Sequence, residues 1–222
     1  VIKNIGCCRS TPLYKKYKNK SKKEKIKNIL LFYIEDFKGI PKVAKNRDIN
    51  SKVKTKINKD LNWRNISKDV SIIIIKLAKK FPNINFIIKC KVGQKIPKNL
   101  EYQFKKIKNI DLIKHGLGHE LIEKSQIILG LNSAATIETL LAKKLLMVPF
   151  FGIERKIIKN YLYKYPKENI FLNYNKFEKS LNYNIIKGYI TKKNFNTNQK
   201  KTINKYLGDY INAKKNLRNF FL

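Results

Sequence analysis

Short apolar runs alternate along the chain with longer segments in which apolar residues recur every three or four positions. The run Ile29–Ile34 is continuous and bounded by charged residues, which is typical of a central parallel strand buried on both faces. In the segment Trp63–Lys80, apolar residues at 70, 73, 74 and 77 follow helical spacing and predict a stripe that faces a sheet. The same criteria predict strands at Asn85–Lys91, Ile110–Ile113, Ile127–Leu131, Leu145–Phe151 and Asn169–Leu172, and helices at Pro97–Ile107, Gly118–Lys124, Ala134–Lys144, Arg155–Tyr163, 176–187 and Gln199–Phe220.

The alternation of strands and helices predicts the fold class. It is typical of an α/β protein with a Rossmann-like parallel sheet and helices on both faces. Such a sheet gathers the carboxyl ends of its strands at one edge, where ligands bind. We expect three parts: a strand and basic linker at 1–27, the sheet domain at 28–190 and a C-terminal helix at 191–222. Within the first part, Val1–Ser10 is the expected strand and Thr11–Lys27 a lysine-rich link with little to bury. Within the sheet domain, Glu35–Asp60 is expected to be a loop excursion.

The composition is strongly basic, with a formal net charge of +35 over 222 residues. A charge of this size suggests nucleic-acid binding. However, arginine accounts for only five of the 50 basic residues, and lysines occur on nearly every polar stretch and not along one face. We therefore expect a solvated basic surface and no specific nucleic-acid groove, although lysines also attract anionic lipid headgroups and phosphorylated ligands.

Cysteine and histidine give little evidence for metal or disulfide chemistry. The three cysteines, Cys7, Cys8 and Cys90, form no CxxC pair, so neither a zinc site nor a disulfide framework is expected. Glycines between His115 and His119 disfavour a helix that holds both rings on one face. No apolar run reaches the roughly 18 residues that span a bilayer. We expect a cytoplasmic protein with reduced thiols, no metal and no cofactor.

The most specific pattern lies in Ile127–Phe151, where strand, turn, helix and strand follow one another as in a phosphate-binding unit of an α/β sheet. Asn132 or Ser133 at the turn can cap the helix. The small residues Ala134 and Ala135 let a ligand approach the backbone N–H groups at the positive end of the helix dipole. This segment therefore predicts a site for a phosphate or diphosphate.

Glu138 lies four residues after Ala134, so its carboxylate projects one turn deeper on the same helix face and can accept hydrogen bonds from ribose hydroxyls. Pro149, Phe150 and Phe151 end the next strand and are expected to form an apolar lip beside a base or sugar. The chain contains neither GxGxxG nor GxxxxGKS/T, which argues against a nicotinamide-type Rossmann domain and a P-loop nucleotidase. On these residues alone, an equal alternative is that Glu138 has an ordinary exposed position and that Ser133 is only a helix cap.

The sequence ILGLNSAATIETLLAKKLLMVPFF resembles the sugar-nucleotide-binding half of GT-B glycosyltransferases, especially enzymes that make bacterial capsules and other surface polysaccharides. The resemblance implies that Ser133 and Ala134 hold the donor diphosphate and that Glu138 binds the donor ribose. In the order of strands and helices it extends over about residues 29–187. At the N-terminus, GCCRST resembles a degraded interdomain segment Gly-x-x-Arg-x-Asp, with Thr11 in place of the acid.

Lys89, His115 and Arg155 are further candidates for donor binding. Lys89 begins the segment KCKVG, which stands where related transferases often have Lys-x-His-Pro, so the lysine could keep a phosphate contact although the histidine is absent. His115 could donate to a phosphate from the end of a strand. Arg155 could reach the diphosphate from the loop after residue 152. An ordinary loop role is the alternative for His115 and a surface role is the alternative for Arg155, and no catalytic residue is assigned.

The resemblance also implies partners: a nucleotide-sugar donor and a glycan or lipid-linked acceptor, met in the cytoplasm or at the inner face of the membrane by peripheral association. A GT-B enzyme needs an N-terminal acceptor domain of similar size, so we expect this chain, which starts at Val1, to be a fragment. Two alternatives stay open. One is a sugar-nucleotide epimerase of the same architecture, and the other is a non-enzymatic binder of RNA or membrane surfaces.

Overall fold

The computed structural model describes residues 10–17, 23–33, 63–90, 96–130, 133–152, 165–190 and 196–218, the last range without 214 and 217. Within these residues, six strands form one sheet and two short strands form a second. The strands are β1 (Lys23–Glu24), β2 (Asn28–Tyr33), β3 (Asn85–Cys90), β4 (Ile110–Ile113), β5 (Ile127–Leu129), β6 (Leu145–Pro149), β7 (Ile170–Phe171) and β8 (Tyr189–Ile190).

The large sheet has the order β4-β3-β2-β5-β6-β7, and all neighbouring strands are parallel. β2 lies at the centre, where Leu30 is paired with Ile87 on one side and Ile128 on the other. Counted from β2, this order is the 3-2-1-4-5-6 arrangement of doubly wound α/β folds. The predicted fold class, a Rossmann-like parallel sheet with helices, is confirmed.

Helices cover both faces of this sheet. They are α1 (Ser10–Tyr17), α2 (Trp63–Lys80), α3 (Lys98–Lys105), α4 (Gly118–Lys124), α5 (Ala134–Leu141), α6 (Tyr174–Lys187) and α7 (Thr197–Leu207), with a 3₁₀ helix at Lys167–Asn169. α2 contacts α3 and α6, whereas α5 contacts α1, α4 and α7. Right-handed crossovers lead from β2 to β3 and, in the opposite direction, from β5 to β6, so these two groups of helices lie on opposite faces.

The core lies between the helices and the central strands. Ile128 of β5 and Leu146 of β6 are fully buried, and Ile73 and Ile74 of α2 and Ile137 of α5 are buried against the sheet. The stripe predicted for α2 is therefore its buried side. Complete burial of such a side chain contributes about 1.5–3 kcal/mol, so apolar packing holds the helices on the sheet.

Several elements have the predicted bounds and others are shorter. α2 and α4 begin and end where the sequence predicts. α5 ends at Leu141, because Lys143 takes a left-handed backbone conformation with φ 55° and turns the chain towards β6. The strand predicted through Phe151 ends at Pro149.

The prediction for Thr11–Lys27 is wrong in its first part. Residues Ser10–Tyr17 form helix α1, and Leu13 and Tyr17 are buried with 5% and 6% of their surface exposed. These two residues are four positions apart, so they share one helix face and pack it against α5. The many lysines of this segment obscure a short amphipathic helix.

The C-terminal prediction is also wrong in part. A helix was expected to continue through Phe220, but α7 ends at Leu207, and Gly208 follows it with φ 60°. A glycine with positive φ is a common helix terminator. The second sheet, in which β1 pairs antiparallel with β8, was not predicted, because it joins two-residue strands that are distant in the sequence.

Some predictions fall outside the described residues. These are the strand at residues 1–9, the loop excursion at Glu35–Asp60 and the helix at Arg155–Tyr163. The division into parts at 1–27, 28–190 and 191–222 stays a prediction. In the described part of the chain, no helix has the length and apolar character needed to cross a membrane.

Candidate functional site

The carboxyl ends of β2 and β5 mark the topological switch point of the sheet. β2 ends at Tyr33 and β5 at Leu129, and the two strands are parallel neighbours. From β2 the chain continues towards β4, whereas from β5 it continues towards β7, so the connections diverge and leave a crevice at this edge. Ligands of open α/β sheets bind in such crevices. This edge is therefore the candidate site.

Helix α5 begins beside this crevice. Ser133 is its N-cap, with extended backbone angles (φ −142°, ψ 143°), and its Oγ accepts a hydrogen bond of 3.3 Å from the N–H of Ala135. The Ser133 carbonyl accepts a hydrogen bond of 3.0 Å from the N–H of Thr136. The N–H groups of Ala135 and Thr136 are thus already paired, so a ligand at this helix end would depend chiefly on the N–H of Ala134 and the positive end of the helix dipole.

The Ser133 carbonyl also determines where the next N–H group points. Among the described residues, all peptide bonds are trans, so a carbonyl and the N–H that follows it point in opposite directions. Thr136 holds the Ser133 carbonyl within the first helical turn. The N–H of Ala134 is therefore directed away from the helix, towards the carboxyl edge of the sheet. This geometry offers a hydrogen-bond donor to an anion.

Glu138 lies in the second turn of α5 and is buried, with 3% of its surface exposed. Its neighbours Ile137 and Thr139 are fully buried too, because α1, α4 and α7 pack around the helix. The alternative of an ordinary exposed position for Glu138 is therefore wrong. Burying a carboxylate costs free energy unless hydrogen-bond donors or a positive charge compensate for the lost water. Its contact with a donor ribose stays a prediction.

Two residues of the predicted apolar lip, Phe150 and Phe151, pack against other aromatic rings. Phe150 is fully buried, with its ring 6.5 Å from that of Tyr165. Phe151 is partly buried, and its ring lies 5.7 Å from Tyr174 and 5.2 Å from Phe177. Phe150 therefore belongs to the protein interior, whereas Pro149, the third residue of the predicted lip, lines a small cavity with Tyr33 and Gly130 at the carboxyl ends of β2 and β5.

Lys89, near the end of β3, places a positive charge at the carboxyl edge of the sheet. It is 7% exposed, and its Nζ donates hydrogen bonds to the carbonyl oxygens of Cys90 (3.0 Å) and Lys114 (3.2 Å). The ammonium thus joins the ends of β3 and β4. Because strands lie about 4.8 Å apart, Lys89 is roughly 10 Å from β5. His115 follows Lys114 and is exposed. Ligand contacts of both residues stay predictions.

Acidic groups also lie where α2 and α6 pack together. Glu178 of α6 forms an ion pair with Lys76 of α2. Burial raises the pKa of the Asp69 carboxyl. Burial also raises the pKa of the Tyr174 hydroxyl, and the nearby charges of Glu178 and Asp69 raise it further.

The structure brings most of the predicted donor-binding residues to one edge. Ser133, Ala134 and Ala135 lie at the start of α5, and Glu138 lies one turn further. Lys89 lies near the end of β3, and His115 lies just beyond β4, at the same edge. The remaining two candidates, Asn132 and Arg155, fall outside the described residues.

Sequence reasoning missed how closely Phe32 approaches two glycines at the switch point. A Cβ atom added to Gly130 would lie 3.1 Å from Cβ of Phe32 and 3.5 Å from Cγ2 of Thr136. A Cβ atom added to Gly118 would lie 3.4 Å from Cε1 of Phe32. Phe32 thus fills the space between the start of α4 and the start of α5. Gly130, placed between an apolar strand and the turn, was the available signal for this close contact.

Replacing Gly130 with alanine should destabilise the protein by about 1–3 kcal/mol, because the added methyl group overpacks the contact with Phe32. The Cβ atom of Phe32 is tied to the backbone of β2 and cannot turn away. Thermal unfolding followed by circular dichroism should give a Tm lower by several degrees. The matched control is Gly118→Ala, where the methyl would meet only the outer ring atoms of Phe32. An unchanged Tm for Gly130→Ala would contradict the packing described.

Comparisons with known proteins give matches of fold. No protein-family model matches the chain, and neither does any curated protein. The UDP-GlcNAc 2-epimerase of Neisseria meningitidis bound to UDP-GlcNAc is similar over 88% of this chain and 44% of that one, at 16% identity and a TM-score of 0.49. The UDP-GlcNAc 2-epimerase of Methanocaldococcus jannaschii in complex with UDP-GlcNAc and UDP is similar over 96% of this chain and 48% of that one, at 13% identity and a TM-score of 0.45.

A third match is the β-Kdo 2,4 transferase of Thermosulfurimonas dismutans, with 64% of this chain and 42% of that one covered, 12% identity and a TM-score of 0.33. The chain therefore spans less than half the length of each of these three proteins. Their likeness to this chain is one of fold.

Proposed function

We propose that the chain binds a nucleotide-sugar donor at the carboxyl edge of its sheet, as the donor-binding half of a glycosyltransferase of surface polysaccharide synthesis. The observation that carries this proposal is the start of α5 at the switch point. There, the Ser133 cap and the carbonyl held by Thr136 direct the N–H of Ala134 towards the crevice. The sequence resemblance of residues 128–151 to the sugar-nucleotide-binding half of GT-B enzymes supports the same assignment.

The diphosphate of the donor is the group best suited to this helix end. Backbone N–H groups and the helix dipole stabilise negative charge at an N-terminus by about 0.3–1 kcal/mol in exposed positions and up to about 2 kcal/mol in partly buried ones. The buried ammonium of Lys89 adds attraction from the side of β3. In a transfer reaction the same groups would stabilise the charge that develops on the departing nucleoside diphosphate.

The nucleoside would extend from the diphosphate towards Glu138. Its carboxylate accepts hydrogen bonds and donates none, so it complements the paired hydroxyl groups of a ribose. We expect a diphosphate at the start of α5 to direct its ribose towards this carboxylate, which lies one helical turn further along the helix. This arrangement would recognise a nucleoside diphosphate over a simple inorganic anion.

The acceptor and the transfer step belong to the wider proposal. The chain spans less than half the length of the matched structures, and in enzymes of the resembled family many acceptor contacts and the usual catalytic base lie in the other half. We therefore propose donor binding for this chain and assign no catalytic base to it. A glycan or lipid-linked acceptor, and work in the cytoplasm beside the membrane, follow from the same resemblance.

Titration calorimetry of the chain with UDP, GDP, CDP and CMP tests the proposal. We expect saturable one-site binding of at least one nucleoside diphosphate, at the ionic strength of about 0.15 M where exposed charges are largely screened. Failure of all four nucleotides to bind saturably would remove the proposal. Affinity for RNA or anionic vesicles that falls steeply with salt, without nucleotide binding, would favour the non-enzymatic alternative.

A pair of cap variants locates the binding. Ser133→Ala removes the cap of α5. Asn173→Ala removes the cap of α6, where the Asn173 side chain accepts a hydrogen bond from the N–H of Lys176. Loss of such a cap costs about 0.5–2 kcal/mol of stability in either helix. Only Ser133→Ala should weaken nucleotide binding. If the nucleotide binds and the donor is consumed, product analysis separates glycosyl transfer from epimerisation.

A further inference from the structure

Tyr165 reaches the start of α5 from a distant part of the chain. Its hydroxyl lies 2.9 Å from Oγ1 of Thr136, and both side chains are buried, with 6% and 0% of their surface exposed. Tyr165 precedes the 3₁₀ helix that leads into β7, so the contact links the β6–β7 connection to the first turn of α5. The contact lies directly behind the turn to which we assign the diphosphate.

The direction of these hydrogen bonds follows from the single proton that each hydroxyl carries. The Thr136 hydroxyl donates its proton to the Ser133 carbonyl. It has no second proton, so in the contact with Tyr165 it must accept, and the Tyr165 hydroxyl must donate. The result is a chain of donors from Tyr165 through Thr136 to Ser133. The same carbonyl also receives the N–H of Thr136 at 3.0 Å.

We propose that Tyr165 is a positioning residue for the anion-binding turn. Its hydroxyl fixes the Thr136 side chain, which in turn fixes the Ser133 carbonyl and hence the plane of the peptide bond to Ala134. This plane sets the direction of the Ala134 N–H, which a diphosphate would meet first. The inference rests on the proposed function, and it assigns to Tyr165 no contact with the ligand.

The ring and the hydroxyl of Tyr165 have separable roles. The ring packs in the core, 6.5 Å from the ring of Phe150, and phenylalanine would preserve that contact. The hydroxyl is the part that reaches Thr136. Tyr165→Phe therefore removes the positioning hydrogen bond and keeps the packing.

The test measures binding of inorganic diphosphate and of UDP to the full chain by calorimetry. Tyr165→Phe should weaken both by about fivefold, the effect of losing one neutral hydrogen bond, because the turn is less well held. Tyr174→Phe is the matched control, since its ring also packs in an aromatic cluster, against Phe151. It should leave both affinities unchanged.

Variants of Thr136 separate positioning from a general structural role. Thr136→Val removes the hydroxyl and should weaken diphosphate binding at least as much as Tyr165→Phe, whereas Thr136→Ser keeps the hydroxyl and should restore it. The double variant Tyr165→Phe/Thr136→Val should bind no more weakly than Thr136→Val alone, because both changes break the same chain of donors. In NMR spectra, the amide signal of Ala134 should shift in Tyr165→Phe and stay in place in Tyr174→Phe.

The outcomes distinguish the two proposals. If the unaltered chain binds diphosphate or UDP and Tyr165→Phe binds it equally well, the positioning role is overturned and the proposed function stands. If the unaltered chain binds neither these anions nor any of the other nucleotides, both are overturned. An equal loss of affinity in Tyr165→Phe and Tyr174→Phe would also overturn the positioning role, because it would reflect general loosening of the fold.

Discussion

Replacing Glu138 with alanine should weaken the binding of nucleoside diphosphates by about 10- to 100-fold, the effect of losing hydrogen bonds to a charged group. Inorganic diphosphate should lose much less affinity, because it lacks the ribose and binds at the helix end alone. The comparison is made by calorimetry on the same protein sample. It isolates the carboxylate from the anion site at Ser133–Ala135.

The burial of Glu138 requires a folding control for this variant. Its side chain is 3% exposed, so alanine leaves a space and changes the hydrogen bonding around α5. Retained binding of inorganic diphosphate, together with an unchanged circular dichroism spectrum, would establish that the helix end is intact. Equal losses for inorganic diphosphate and for the nucleoside diphosphate would contradict a role of Glu138 towards the ribose.

Replacing Phe177 with alanine should destabilise the protein by about 3–5 kcal/mol, enough to lower Tm by roughly 10 °C. Phe177 of α6 is fully buried, and its ring centroid lies 5.2 Å from that of Phe151 and 5.3 Å from that of Phe171. Its removal therefore opens a cavity where β6, β7 and α6 meet. Thermal or urea unfolding followed by far-UV circular dichroism measures the effect.

A second residue on the same helix gives the matched control. Tyr183 of α6 is 61% exposed, and Tyr183→Ala also removes an aromatic ring. A change at such a surface position should stay within about 0.5 kcal/mol. Similar losses of stability for Phe177→Ala and Tyr183→Ala would show that α6 does not pack on the sheet as described.

Local sequence patterns were sufficient for the central elements of the fold. The spacing of apolar residues between 63 and 80 predicted both ends of α2, because Pro82 stops the helix and the stripe has no competing interpretation. The run at 29–34 predicted β2 because a strand buried on both faces is apolar at every position. α1 was not predicted, because only two buried apolar residues stand among its lysines. The pairing of β1 with β8 was not predicted, because the two strands are distant in the sequence.

The candidate site divides in the same way. The cap of α5 depends on residues within one turn, so the sequence limited it to Asn132 or Ser133, and the structure shows Ser133 as the cap. The burial of Glu138 is a tertiary property, since α5 is covered by α1, α4 and α7 from three other parts of the chain. The contact between Tyr165 and Thr136 joins segments on either side of β6. No short pattern contains such information, because these contacts exist only after the sheet has formed.

The enclosure of α5 by the sheet and by α1, α4 and α7 has a consequence for the thermodynamics of ligand capture. The elements that pack on α5 are in place without a ligand, so binding of an anion at the start of α5 is expected to cost little conformational entropy. A ligand that docks on this preorganised tip through its charges covers little apolar surface, and its association is expected to carry only a small change in heat capacity.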